Sequence, residues 1–141
     1  MEIKNVTVIG SGIMGHGITQ VVATAGFKVQ LNDISDALLQ NAKSKIESSL
    51  DKGIKKGKIT EGDKGNILSR ISFSTDLPGA AKDADLVVEA VPENIDLKKQ
   101  IFKQLDEITK PQTILGFNTS QYSITEIASS VKDPSRVIGM H

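Results

Sequence analysis

Three glycines near the start of the chain, Gly10, Gly12 and Gly15, have the spacing of a loop that binds phosphate groups. A β-rich run at residues 3–9 precedes them, and residues 16–25 continue with apolar side chains at a helical spacing. In such a turn the first glycine allows the sharp bend, the second lets a pyrophosphate approach the backbone, and the third lets the helix pack on the strand. The N–H groups of the first helical turn bind the phosphates. The pattern predicts a dinucleotide site; the alternative is a turn that only connects a strand to a helix.

A carboxylate follows the second predicted strand at the distance expected of a ribose-binding residue. Apolar and polar residues alternate over residues 27–31, and Asp33 comes next, 18 residues after Gly15. A carboxylate there accepts hydrogen bonds from the adenosine ribose and repels a 2′-phosphate. No Arg follows Asp33 directly, so the sequence predicts NAD rather than NADP. The alternative is that Asp33 caps the next helix, which begins near Ser35.

The composition excludes several classes of protein. The 141 residues are enough for one domain with a buried core. The 17 basic and 17 acidic side chains balance, which predicts neither nucleic acid nor an anionic membrane as a partner. The chain has no Cys, which excludes thiolate metal sites, and we predict no bound metal. Without a signal-peptide pattern or a membrane-spanning run, we expect a cytoplasmic protein.

Strand-like and helix-like segments alternate along the chain. After the first two strands, further strands are predicted at residues 71–74, 85–91, 112–117 and 136–141. Helices are predicted after the glycines and at residues 35–50, 60–70, 78–82, 97–108 and from Ser123, where a capping box begins. This alternation is typical of an α/β fold with a doubly wound, mostly parallel sheet of the Rossmann type.

Residues 35–70 form a longer connection than a helix and a following strand require. The pattern predicts a long helix, a basic turn and a second helix capped by Thr60, a pair that projects from the domain. The turn carries lysines at positions 52, 55, 56 and 58. Composition alone favours a solvated turn, and the alternative is a phosphate-bearing ligand nearby.

The polar residues of interest lie at the carboxyl ends of the predicted strands, where doubly wound sheets bind their ligands. These ends are residues 10–15, 33, 90–94, 118–121 and 141. Their convergence on one edge of the sheet is better evidence for a site than any single residue.

Five stretches together resemble one family. They are GSGIMGHGI at residues 10–18, VEAVPEN at 88–94, NTS at 118–120, SITEI at 123–127 and VIGMH at 137–141. They resemble the short-chain L-3-hydroxyacyl-CoA dehydrogenases, in particular the bacterial 3-hydroxybutyryl-CoA dehydrogenases. The match runs in order over residues 1–141 but covers only the family's N-terminal NAD-binding domain. The family continues into a helical C-terminal domain that forms the homodimer and closes the substrate cleft.

The resemblance implies a role for each matching residue. It implies that NAD is bound by Gly10, Gly12, Ile13, Met14, Gly15, Asp33, Ala90, Glu93, Lys98 and Asn118. It implies that Ser49 and Lys56 contact coenzyme A, that Ser120 lies beside the substrate's 3-hydroxyl, and that His141 and Ser120 are the catalytic residues. Taken without the resemblance, Ser120 is a turn residue, His141 an incidental chain end, Glu93 an acid at a helix start and Lys98 an exposed helix cation.

The implied reaction is reversible hydride transfer between NAD and the 3-hydroxyl or 3-keto group of an acyl-CoA, in fatty acid β-oxidation or butanoate metabolism. Oxidation of a secondary alcohol needs a base for the hydroxyl proton. Imidazole, with an ordinary pKa of about 6.5, suits that task near neutral pH, which fits His141. Ser120 can hydrogen-bond the same oxygen.

The sequence also departs from the family. In the family a Glu downstream of the His and an Asn of the C-terminal domain complete the site, and both fall beyond residue 141. Gln121, Tyr122 and Phe117 are bulkier than the residues usual at those positions. We therefore expect a truncated dehydrogenase that binds NAD but is inactive or nearly so by itself. The alternatives are a non-catalytic nucleotide-binding module and a dehydrogenase of the same superfamily that acts on another 3-hydroxy acid.

Overall fold

The structure is a computed structural model that describes residues 2–92, 94–117 and 124–140. Its strands are β1 (Asn5–Ile9), β2 (Lys28–Asn32), β3 (Ile71–Ser74), β4 (Leu86–Glu89), β5 (Ile114–Phe117) and β6 (Val137–Gly139). Its helices are α1 (Ile13–Thr24), α2 (Asp36–Lys55), α3 (Glu61–Ser69), α4 (Leu77–Ala81), α5 (Ile95–Ile108) and α6 (Ile124–Ala128). Across these ranges no helix combines the length and the apolar character that a membrane span requires.

The described strands form one parallel sheet in the order β3-β2-β1-β4-β5-β6. β1 lies at the centre, where Val8 pairs with Leu31 of β2 on one side and Val88 of β4 on the other. The strand order reverses at β1, so the carboxyl ends of β1, β2 and β4 border the crevice in which such sheets bind ligands. The predicted doubly wound parallel sheet is confirmed.

Each face of the sheet has its own core, and each core draws on one part of the chain. The first cluster is covered by α1, α2 and α3; its buried residues lie between Val6 and Ile71, joined by Val88. The second is covered by α4, α5 and α6; its buried residues lie between Ala81 and Val137, joined by Ile9. Central strands buried on both faces explain the continuous apolar run at residues 86–88.

The predicted helical pair at residues 35–70 is present as α2 and α3. Ser35 caps α2, where its hydroxyl accepts the Leu38 N–H. Thr60 caps α3 in a reciprocal capping box with Asp63. The 20 residues of α2 rise about 30 Å, whereas the five of β2 span about 17 Å, so the helix is much longer than the strand before it.

The last strand is shorter than predicted, because Arg136 ends a 3₁₀ turn instead of opening the strand. The buried Arg136 guanidinium donates to the carbonyls of Lys110 and Thr113 and to the side chain of Asp106. These bonds attach the start of β6 to the carboxyl end of α5 and to the loop that follows.

Asp85 joins the start of β4 to the start of β1. Its Oδ2 accepts the N–H groups of Lys4 at 2.9 Å and Asn5 at 3.0 Å, and its Oδ1 accepts from the Lys110 ammonium at 2.6 Å. The Lys110 ammonium first, and then the two amides, hold the pKa of the Asp85 carboxyl well below its usual range. The carboxylate form is therefore part of the folded state.

Asp85→Asn is expected to lower the free energy of unfolding by about 1–3 kcal/mol at pH 7. Because the folded-state pKa lies below the unfolded value of about 3.9, the stabilisation is fully present above about pH 5. It declines as the pH falls through the unfolded value toward the folded one. Urea unfolding at pH 7 and pH 3 measures this, with the exposed Asp83→Asn as control. An Asp85→Asn loss that is the same at both pH values would contradict the assignment.

Candidate functional site

The glycine loop between β1 and α1 is packed directly against the end of β4. Gly10 has a positive φ of 97°, which favours glycine, and a Cβ on it would lie 2.7 Å from the Ala90 carbonyl oxygen. A Cβ on Gly15 would overlap the Gly10 carbonyl oxygen. Two of the three predicted glycines therefore allow backbone segments to approach each other closely, as the motif predicts.

Gly12 has a different environment, because a Cβ there would meet nothing within 4 Å. Gly12 is the N-cap of α1, and the first-turn residues Ile13 and Met14 are 82% and 51% exposed. The N–H groups of a first helical turn lack acceptors within the helix, and the helix dipole adds positive potential there. The protein does not itself need a glycine at position 12, and the open space suits a pyrophosphate held by these N–H groups.

Asp33 lies beside this loop and is held in a fixed orientation. Its Oδ2 accepts the Ser11 N–H at 2.8 Å and the Ser11 hydroxyl at 2.5 Å, and its Oδ1 accepts the Ile34 N–H at 2.7 Å. The alternative that Asp33 caps the next helix is wrong, because Ser35 caps α2. The remaining lone pairs of the carboxylate can accept ribose hydroxyls.

Ser11 is the site residue that the sequence reasoning missed. It occupies the variable position between the first two glycines, and it is buried. Its hydroxyl lies within hydrogen-bond distance of a carboxylate that follows the neighbouring strand β2. The carboxylate of Asp33 is that group.

Ser11→Ala is expected to weaken NADH binding by about threefold to tenfold, because the carboxylate keeps the Ser11 amide but loses a hydroxyl that fixes its orientation. Thermal stability should change little. Calorimetric titration with NADH measures the effect, and Ser35→Ala, which removes a cap outside the loop, is the matched control. Equal losses of affinity in both variants would contradict a specific role for Ser11.

A cavity of about 850 Å³ extends along the carboxyl edge of the sheet from β2 across β1 to β4. Its lining includes the glycine loop, Asp33 and the β4–α5 loop residues Ala90, Val91 and Pro92. Exposed apolar side chains complete it, among them Ile34, Leu38 and Leu97. An apolar cavity with a few convergent polar groups is typical of a cofactor site.

Lys98 differs from the exposed helix cation that its sequence context suggested. Its side chain and that of Glu89 are both 0% exposed, and the Lys98 ammonium lies 2.7 Å and 2.9 Å from the two Glu89 carboxylate oxygens. Glu89 ends β4, and its Oε2 also accepts the Val91 N–H at 2.6 Å. This buried ion pair therefore lies next to the β4–α5 loop, which lines the cavity at the end of β4.

The two predicted coenzyme A contacts lie on α2, outside this cavity. The Ser49 hydroxyl accepts a hydrogen bond from the Gln20 amide of α1 at 3.0 Å. Lys56 is the exposed C-cap residue of α2. The two positions are two helical turns apart and therefore share a face. From Leu38, which lines the cavity, Ser49 is about 16 Å further along the helix.

Several predicted site residues fall outside the described residues: Glu93, Asn118, Ser120 and His141, together with the neighbouring Gln121 and Tyr122. Their roles stay predictions. Phe117 is described, and it belongs to the core: it is 1% exposed and packs edge-to-face on Phe102 with ring centroids 5.9 Å apart. Its bulk is accommodated by the second core cluster.

The chain belongs to the 3-hydroxyacyl-CoA dehydrogenase family. The family model described as the NAD binding domain of 3-hydroxyacyl-CoA dehydrogenase matches residues 5–141. NAD is therefore the cofactor of this domain, as Asp33 and the glycine loop predicted.

Individual relatives agree with this family. A 3-hydroxybutyryl-CoA dehydrogenase of Clostridioides difficile is 46% identical over 134 residues, which is 95% of this chain and 47% of that protein. A 3-hydroxyadipyl-CoA dehydrogenase of Escherichia coli is 43% identical over 141 residues, 100% of this chain and 30% of that protein. The crystal structure of (S)-3-hydroxybutyryl-CoA dehydrogenase from Ralstonia eutropha superposes with a TM-score of 0.96 at 45% identity, covering 99% of this chain and 49% of that one. The chain thus spans about half or less of the length of these relatives.

Proposed function

We propose that this domain serves an NAD-dependent 3-hydroxyacyl-CoA dehydrogenase, with a short 3-hydroxyacyl thioester such as 3-hydroxybutyryl-CoA as the substrate class. The observation that carries the proposal is the Ser11–Asp33 arrangement beside the open Gly12. It places a fixed carboxylate next to a phosphate-binding turn, which favours an unphosphorylated adenosine ribose. The names of the relatives support the acyl-CoA substrate.

The residues of this chain would divide the work along the cavity. Asp33 would hold the adenosine ribose, and the N–H groups that follow Gly12 would hold the pyrophosphate. NAD, when bound, supplies the hydride acceptor. Asn118 and Ser120 would orient the alcohol, and His141 would accept its hydroxyl proton, roles that the family resemblance implies and that the position after β5 and β6 supports.

The acyl-CoA would meet the protein at two places. Its reacting end belongs at the carboxyl edge of the sheet, and its nucleotide end would lie on the α2 face that carries Ser49 and Lys56. Lys52 lies on the same face, three residues after Ser49 and four before Lys56. Exposed ammonium groups on one face suit phosphate groups.

The rest of the site would come from a helical C-terminal domain of the family type, which would also form the homodimer. In that arrangement the 141-residue chain binds NAD but turns over little or no substrate. Calorimetric titration with NADH and with NADPH tests the binding role, and much tighter binding of NADH is the expected result. Adding the C-terminal domain of a relative as a separate chain and assaying acetoacetyl-CoA reduction tests the activity. Equal binding of both cofactors, or full turnover by the chain alone, would overturn the proposal.

A further inference from the structure

Asn32 is the last residue of β2, and its side chain is buried although it is polar. It is 6% exposed, and the alternation of side chains along β2 places it on the opposite face of the sheet from Leu31, which belongs to the first cluster. Its backbone carbonyl accepts the Gly10 N–H at 2.8 Å, and its side-chain Nδ2 donates to the Ser74 carbonyl at 3.0 Å. The backbone of Asn32 is therefore held against the glycine loop, and its side chain against the end of β3.

These contacts determine which atom of the Asn32 amide remains for a ligand. Because Nδ2 faces a carbonyl oxygen, turning the amide by 180° would place two acceptors against each other. The Asn32 Oδ1 accepts from none of the residues that the structure describes, and Asn32 lines the cavity. This oxygen is not enclosed by protein, since among the described residues the buried polar side-chain atom without a partner is the His16 Nδ1. The amide thus presents a fixed acceptor to the cavity.

The part of the cavity around Asn32 is the part in which the purine base of the cofactor belongs. Asp33, the next residue, is assigned to the adenosine ribose, and the sheet order places β3 beyond β2 as seen from the glycine loop. Thr75 and Leu77 follow β3 and line the same cavity, as does Ile34, which is 89% exposed. The base lies beyond the ribose as seen from the pyrophosphate, so it would meet apolar side chains and the Asn32 oxygen.

Purine bases differ in the group that they carry at position 6. Adenine has an amino group, which donates hydrogen bonds, whereas guanine and hypoxanthine have a carbonyl oxygen, which accepts them. An acceptor held by the protein attracts the amino group and repels the carbonyl oxygen.

We propose that Asn32 is a specificity-determining residue of the cofactor site: its Oδ1 accepts the 6-amino group of adenine and thereby selects an adenine dinucleotide over one with a 6-oxo purine. The inference rests on the assignment of NAD to this cavity, which is part of the proposed function. It adds a contact to the base, whereas Asp33 and the glycine loop contact the ribose and the pyrophosphate.

The test titrates the 141-residue chain by calorimetry with NADH and with reduced nicotinamide hypoxanthine dinucleotide. The two ligands share the pyrophosphate, both riboses and the nicotinamide, and they differ only in the purine ring. The wild-type chain should bind NADH about tenfold more tightly than the hypoxanthine analogue. Asn32→Leu keeps a side chain of similar size without an acceptor, so this preference should fall to about twofold or less.

Asn32→Leu also removes the hydrogen bond to Ser74, which a purely structural role would register as an equal loss of affinity for both ligands. Equal losses, with the preference for NADH retained, would overturn the inference. Gln30→Leu is the matched control, because Gln30 lies on the same face of β2 two residues earlier and outside the cavity lining. It should keep the wild-type preference.

The wild-type chain tests the two levels of the argument separately. Equal affinity for NADH and for the hypoxanthine analogue would refute the role of Asn32 and leave the NAD site in place, whereas binding of neither ligand would refute the NAD site itself. Where Asn32→Leu does not fold, Asn32→Ser takes its place, because its side chain is too short to reach the position of Oδ1. A tenfold preference that persisted in Asn32→Ser would refute the proposal.

Discussion

Replacing Asp33 by alanine is expected to reverse the cofactor preference of the domain. NADH should bind about tenfold to a hundredfold more weakly, because hydrogen bonds to a charged acceptor are lost. NADPH should bind more tightly than in the wild type, because the carboxylate no longer repels a 2′-phosphate. The Ser11 N–H, the Ser11 hydroxyl and the Ile34 N–H, which now hold the carboxylate, would be left as donors for that phosphate. Titration of the variant with NADH and NADPH measures the ratio.

Asp36→Asn is the matched control, since Asp36 is an exposed acid in the first turn of α2, three residues from Asp33. It removes the same charge from the same end of the sheet without touching the Ser11 contacts. A preference that changes equally in both variants would mean that bulk electrostatics, and not the held carboxylate, selects the cofactor.

The second large effect is expected from substitutions at two glycines, one of which should impair cofactor binding alone and the other both binding and stability. Gly12→Ser should abolish detectable NADH binding, because its side chain would enter the space that we assign to the pyrophosphate. The same substitution should raise the free energy of unfolding by a few tenths of a kcal/mol, because serine is a better N-cap than glycine. Gly15→Ala should lose binding and also about 3 kcal/mol of unfolding free energy, since its Cβ overlaps the Gly10 carbonyl. Urea unfolding and NADH titration of both variants separate the two effects.

Gly17→Ala provides the comparison within the same helix. A Cβ at Gly17 meets nothing within 4 Å, so alanine should stabilise α1 by about 0.5–1 kcal/mol and leave NADH binding unchanged. If Gly12→Ser destabilised the protein as much as Gly15→Ala, position 12 would serve folding and its role as a ligand cradle would be refuted.

Much of the fold, together with the glycine loop and Asp33, could be predicted because the sequence patterns that indicate them are local. The glycine spacing and the position of Asp33 define the β1–α1–β2 unit without knowledge of the rest. Met14, Leu38 and Leu97 fit the helical patterns of apolar residues, yet they are exposed and line the cavity. Apolar side chains that the helical pattern predicts to be buried, but that are exposed in the structure, therefore lie at the candidate site.

The contacts that sequence reasoning missed join distant parts of the chain. Ser11 and Asp33 are 22 residues apart and meet only because β1 and β2 end side by side. The burial of Lys98 could have been predicted from the sequence. It lies three, four and seven residues before Ile101, Phe102 and Leu105, which places it on the buried face of α5. No local pattern could name its partner, because Glu89 comes from a strand.

The division of the core between the two faces of the sheet has a consequence for synthesis on the ribosome. The first cluster is complete, apart from Val88, once residue 71 has been made, whereas β1 gains its second neighbour only with β4. At about 5–20 residues per second, β1 waits roughly 4–16 s for that strand. We expect a stalled chain that exposes residues 1–76 to resist proteases, because the first core cluster is nearly complete. In such a chain the second face of the sheet would be uncovered, and the crevice between β1 and β4 would not yet exist. We expect the cofactor to bind only after the end of β4 has been made and Ala90 has packed against Gly10.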